Sequence, residues 1–197
     1  YGPLEPFPTR EVWIQQLREA MNRSDAARPR MMVIGALGRC GRGATELAHA
    51  LDLDVTAWDM AETAKGGPFQ ELLEHELFVN CVYLNGAIPP FVTGEGLDGF
   101  RRLSVISDVS CDPQSPYNPI PVYEDTTTFK EPKVRIRAAS ESPALDVIAI
   151  DHLPGLLPRE ASEDYAEDLF EHLACLDTGS PVWARAREKY QAVLRSL

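Results

Sequence analysis

The chain has 197 residues, 44% of them hydrophobic and 25% charged, and a formal net charge of −11. That composition excludes a disordered tail, and the length suffices for one substantial core with a smaller appended unit. The negative charge argues against a nucleic-acid backbone or an anionic membrane as the main partner, and no apolar run approaches the roughly 20 residues that span a bilayer.

The opening Tyr1-Gly-Pro-Leu-Glu-Pro-Phe-Pro8 has neither an initiator methionine nor the apolar core of a signal peptide, as expected of the middle of a longer protein. Thr9 predicts the cap of a first helix, with Val12, Trp13, Leu17, Ala20 and Met21 on one side. Residues 24–29 break that pattern and lead into a strand over 31–35. A helix over 42–51 follows, burying Ala44, Leu47, Ala48 and Leu51, and then a strand from Val55 to Trp58. A short helix is predicted near 68–75, after the Gly66-Gly-Pro68 break. Leu77–Tyr83, Leu103–Ser107, Val134–Arg137 and Val147–Ile150 read as further strands. Strands apolar almost throughout, alternating with helices, predict an α/β fold: a Rossmann-like, doubly wound parallel sheet covered on both faces. Beyond residue 158 an acidic amphipathic helix spans 162–176, and Ser180-Pro181 opens a basic one.

The chemistry concentrates after the first strand, in Gly35-Ala-Leu-Gly38-Arg39-Cys40-Gly41. A strand, a glycine-rich turn, a helix, a second strand and a carboxylate at its tip are what a dinucleotide site requires. The helix start offers N–H groups and partial positive charge to phosphates. Asp59, 24 residues after Gly35, is placed to accept both hydroxyls of an adenosine ribose and to repel a 2′-phosphate, favouring NAD over NADP. The spacing is G-x-x-G-x-x-G rather than G-x-G-x-x-G, and the plainer alternative is a strand-to-helix turn with no ligand.

Ligands of open parallel sheets bind beyond the carboxyl ends of the strands. Asn80–Tyr83, Asp108–Asp112 and Asp151–Pro154 end three predicted strands there and together suggest a substrate site, although each alone would serve as a turn. His152 is either a proton donor or acceptor or simply part of a strand exit. His49, His75 and His172 read as surface residues, and no metal-ligand spacing occurs. The four cysteines form no C-x-x-C pair, so a reduced, cytoplasmic protein is expected. Cys40 and Cys81 are expected near one sheet edge within disulfide reach, or else as two small buried hydrophobes. The terminal Arg195-Ser-Leu197 is only a faint version of a peroxisomal Ser-Lys-Leu ending.

Val33-Ile-Gly-Ala-Leu-Gly-Arg-Cys-Gly41, Gly66-Gly-Pro-Phe69, Asp108-Val-Ser110, Asn118-Pro-Ile-Pro121 and Ile150-Asp-His-Leu-Pro-Gly-Leu-Leu-Pro-Arg-Glu-Ala-Ser162 closely resemble the fungal saccharopine dehydrogenases. The resemblance runs from about residue 30 to 190. These are NAD-dependent, lysine-forming enzymes of the aminoadipate route. The resemblance implies a helical lead-in over 1–29, an NAD-binding domain over 30–153, and helices over 154–197 that return to a substrate domain in an N-terminal half outside this chain. It places cofactor contacts on Gly38, Arg39, Asp59, Thr63, Tyr83, Val109, Ile150, Asp151, His152 and Leu153. Saccharopine contacts fall on Ser110, Cys111 and Asp112. The family's proton-transferring lysine and histidine match nothing here, so no catalytic residue is expected in this chain, which alone should be inactive. The implied reaction converts L-saccharopine to L-lysine and 2-oxoglutarate. Rival readings are a saccharopine reductase, an alanine-dehydrogenase-like enzyme, or a non-catalytic dinucleotide-binding module.

Overall fold

Thr9 stands in extended backbone, and its hydroxyl accepts from the Val12 N–H, so the first helix begins where its cap predicts. The computed structural model describes residues 2–84, 86–176 and 180–196, which leaves Leu197 of the terminal tripeptide outside the described residues. In chain order the elements are α1 (Arg10–Asn22), β1 (Met31–Ile34), α2 (Arg39–Ala50), β2 (Val55–Trp58), α3 (Met60–Thr63) and α4 (Gln70–Leu73). These are followed by β3 (Leu77–Asn80), β4 (Val105–Asp108), β5 (Val134–Arg137), β6 (Leu145–Ile148), α5 (Pro158–Ala174) and α6 (Pro181–Ser196). Short 3₁₀ turns lie at Gly96–Asp98 and Leu153–Leu156.

The strands form one six-stranded sheet in the order β2-β1-β3-β4-β6-β5. All neighbours run parallel except β5, which pairs antiparallel with β6 at the edge. The predicted parallel α/β sheet is therefore present, with one antiparallel edge strand that apolar patterning did not distinguish. Val134 and Arg135 of β5 are exposed, and Asp146 of β6 accepts from Lys133 Nζ at 2.7 Å and from Arg135. The Arg135 hydrogen bond, followed by Lys133, holds the Asp146 carboxyl below its usual range despite partial burial. β6 begins two residues before the predicted strand, at Leu145, because Leu145 itself is fully buried.

β1 is buried at every position, so its alternating side chains feed two cores. Met32 and Ile34 join Phe69, Leu72, Phe78 and Ile106 on one face, while Met31 and Val33 join Ala48 and Val79 beneath α2 on the other. His75, expected at the surface, is instead 8% exposed and fills a gap between β2 and α4. Its Nδ1 lies 2.8 Å from the Glu71 carbonyl and its Nε2 2.8 Å from Thr56 Oγ1. A carbonyl can only accept, so Nδ1 donates to it.

The packing of α2 on β1 depends on a residue without a side chain. A Cβ at Gly41 would lie 2.1 Å from the Gly35 carbonyl oxygen and 2.6 Å from Ala36 Cα. Both neighbours are backbone, so neither can turn aside. Gly41→Ala is expected to reduce the unfolding free energy by about 3 kcal/mol in equilibrium urea unfolding. An unchanged midpoint would mean that α2 shifts freely on the sheet.

Candidate functional site

The chain passes from β1 out to β2 and returns to form β3 on the opposite side of β1. Connections leaving neighbouring parallel strands in opposite directions open a crevice between them, here beyond the carboxyl ends of β1 and β3. A cleft of about 530 Å³ occupies this position. Gly35 and Gly38 line it from β1, Asp59 and Thr63 from β2 and α3, and Cys81 and Val82 from β3.

Gly35 turns the chain with φ +85°, a conformation side chains disfavour, and Gly38 is the N-cap of α2. Gly38 supplies no side-chain cap, so the first N–H groups of α2 face the cleft end without the partner a serine or aspartate would give. Uncapped N–H groups at the positive end of a helix suit an anion.

Asp59 ends β2 and caps α3. Its Oδ1 accepts the Met60 N–H at 2.9 Å and its Oδ2 the Leu37 N–H at 2.9 Å, while Glu62 accepts the Asp59 N–H at 2.8 Å. The carboxylate thus ties the tip of β2 to the glycine turn. The Glu62 N–H of the capping box also donates to this carboxylate, so of the roughly four hydrogen bonds a carboxylate accepts about one position remains. The α3 helix itself escaped sequence reading, although Asp59-Met-Ala-Glu62 is a capping box that could have revealed it. So did the outer cleft wall, where Gly67 lies so close to Pro90 that a Cβ would sit 2.0 Å from the Pro90 oxygen.

Arg39 begins α2 at the surface and is not among the residues that line the cleft. Its Nη2 donates to Asp168 at 2.7 Å and to Asp164 at 2.9 Å, both on α5. The Asp168 hydrogen bond and the two negative charges raise the guanidinium further above its already high range. Three of its five N–H donors, on Nε and Nη1, stay outside these two bonds.

A second, much smaller depression lies between the exits of β3 and β4 and is lined by Tyr83, Ser110 and Asp112. Asp108, Ser115, Tyr117 and Asn118 are also among its lining, although the sequence marked Asn118 only as part of a motif. Tyr83 is 84% exposed, and Val109 packs against the core beneath α2. Ile150 is buried, whereas Asp151 and His152 are exposed and Leu153 is half-buried at the β6 exit, outside both depressions. The His152 ring packs on Phe129 with centroids 4.6 Å apart. Cys111 joins these regions, its Sγ donating to the Ala149 carbonyl at 3.0 Å. The structure thus brings Gly38, Asp59 and Thr63 to one cleft and Tyr83, Ser110 and Asp112 to another.

No disulfide joins Cys40 and Cys81, which the sequence left as either a possible pair or two small buried hydrophobes; both are free thiols. Cys40, in the first turn of α2, is exposed, while Cys81 sits half-buried after β3. Burial is the chief cause that pushes the Cys81 thiol up to about 12, with the nearby Cys40 adding to it.

No protein-family model matches the chain. Among curated proteins, it is 44% identical to the saccharopine dehydrogenase [NAD(+), L-lysine-forming] of Schizosaccharomyces pombe over 100% of its own length and 56% of that protein. The enzyme of the same name from Candida albicans is 47% identical over 94% of the chain and 51% of its own length. That from Yarrowia lipolytica is 50% identical over 81% and 44% respectively. The chain spans about half the length of the curated relatives it matches. Identity at this level along the whole chain, on a sheet whose reversal carries the glycine turn, means that the chain belongs to the family of the fungal lysine-forming saccharopine dehydrogenases.

Proposed function

We propose that this chain is the NAD-holding half of a saccharopine dehydrogenase, acting in the oxidative cleavage of L-saccharopine to L-lysine and 2-oxoglutarate at the end of a lysine-forming route. The observation that carries the reading is the cleft at the β1/β3 reversal, with an uncapped helix start at one side and the Asp59 carboxylate at the other. The names of the matched relatives specify NAD(+).

The residues present fit a dinucleotide. The pyrophosphate would lie at the start of α2, where Gly38 keeps the backbone open and Arg39 has donors to spare. The ribose would hydrogen-bond to the acceptor position left on Asp59, beside Thr63, whose own hydroxyl already donates to the Asp59 carbonyl at 2.8 Å. Tyr83, Val109 and the run Ile150 to Leu153 would flank the rest of the cofactor, and Ser110, Cys111 and Asp112 the saccharopine. When bound, NAD supplies the hydride acceptor for the carbon that bears the secondary amine. This chain's share is to orient the two reactants and keep one wall of the cleft shut to water. The groups that move protons belong, on this reading, to the part of the protein outside the chain.

Residues 1–29 and 154–197 form the flanks of the NAD-binding unit in this proposal. Phe170 and Tyr165 of α5 and Tyr190 of α6 are 71%, 66% and 65% exposed, and neither helix buries a single residue. An apolar surface on the order of several hundred Å² is unusual unless something covers it, and the remaining half of the enzyme is the proposed cover.

Calorimetry is expected to show tighter binding of NAD than of NADP. Asp59→Asn, which keeps a capping oxygen and removes the charge, should weaken NAD binding about tenfold and erode the preference. Tighter NADP binding by the unmodified chain would overturn the assignment. The chain alone should self-associate in sedimentation experiments and produce NADH from saccharopine only when the remaining half is supplied. Substantial NADH production by the 197-residue chain by itself would place the acid–base groups here after all.

A further inference from the structure

Asp108 ends β4 with 1% of its surface exposed, yet among the described residues no lysine, arginine or histidine forms an ion pair with it. A buried carboxylate without a cation is unfavourable unless every lone pair finds a donor. Here neutral groups supply them. Tyr123 Oη donates to Oδ2 at 2.7 Å. Oδ1 accepts from Asn80 Nδ2 at 2.9 Å and from the Ser110 and Cys111 N–H groups at 3.2 and 3.3 Å. Asn80 is fully buried at the end of β3 and stands opposite Asp108 in the strand register. Tyr123 is 7% exposed, and burial together with the Asp108 hydrogen bond holds its phenol protonated far above the usual range.

An aspartate that accepts from the N–H groups two and three residues later folds the chain into a tight turn. This one ends with Cys111 at φ +51°, the left-handed region that a residue with a side chain rarely occupies. Such a conformation persists only where its surroundings over-determine it. The Cys111 N–H is held by Asp108, its thiol by the Ala149 carbonyl, and the preceding Ser110 hydroxyl by the Val82 carbonyl. The network therefore joins the exits of β3, β4 and β6 at one carboxylate.

We propose that Asp108, supported by Tyr123 and Asn80, is a positioning residue that sets the Ser110–Cys111–Asp112 turn toward saccharopine without meeting the substrate itself. This rests on the reading of those three residues as substrate contacts. An oxygen at both ends of the carboxylate is essential to the role. The substitution Asp108→Asn puts an amide NH₂ on one side, and Tyr123→Phe leaves Oδ2 without its donor.

Two measurements on Asp108→Asn and Tyr123→Phe test this. In the complete enzyme each variant is expected to raise the saccharopine KM about tenfold while the NAD KM stays within about twofold. In either the chain or the complete enzyme, Cys111 should react with maleimide about tenfold faster, as peptide mapping would read, because the turn that shelters it loosens. Unchanged Cys111 labelling and saccharopine KM would overturn the proposal. So would a loss of NAD and saccharopine binding together, which would mark Asp108 as an element of general stability. If the unmodified enzyme does not turn over saccharopine, the functional reading falls, and Cys111 labelling in Asp108→Asn alone decides whether Asp108 sets the turn.

Discussion

Helix α2 can meet the end of β1 only because the Gly35 carbonyl and the Gly41 α-carbon approach more closely than any side chain would permit. Everything ligand-related follows from that approach. It fixes the helix start at Gly38, directs the helix dipole across the mouth of the crevice, and brings the glycine turn within reach of Asp59. A larger residue at 41 would separate the helix from the strand and the helix start from the carboxylate together.

The second organising element is electrostatic, and it differs in kind at the two ends of the site. At the surface, Arg39 is held by Asp164 and Asp168 in pairs that are about two-thirds exposed and well solvated, so they guide the side chain more than they stabilise the fold. In the interior, no cation among the described residues pairs with Asp108, which is held by hydroxyl, amide and backbone donors. An exposed pair is readily rearranged by an arriving anion, whereas a saturated interior network resists change. The arrangement gives a yielding contact where phosphates would arrive and a rigid one where a substrate would be oriented.

Much of this was legible in the residues. The strand Val55–Trp58, the Thr9 cap, the glycine turn and the acidic residue at the β2 tip were readable because each rests on local rules: apolar run length, side-chain capping and backbone sterics. The antiparallel direction of β5 was not, since strand direction depends on a partner elsewhere in the chain. Nor were the burial of His75, which needs Thr56 from a neighbouring strand, and the capture of Arg39 by a helix 125 residues onward. The Asp108–Tyr123 bond is hidden for the same reason: the tyrosine comes from a loop with no periodic signal. Cys40 and Cys81 lie near each other, as the order of the elements suggested, but as free thiols, one exposed and one half-buried.

β5, inconspicuous in sequence, has a consequence for how the protein meets others. Open sheet edges invite other chains to add strands, and edges are commonly blunted by charge. Here the outermost strand is only four residues long, and Lys133 and Arg135 stand over the Asp146 carboxylate beside it. Growth of the sheet by backbone pairing is discouraged on that side. Any association there would fall to side-chain surfaces, where the fit between shaped surfaces, rather than the generic stickiness of a peptide backbone, would select a partner.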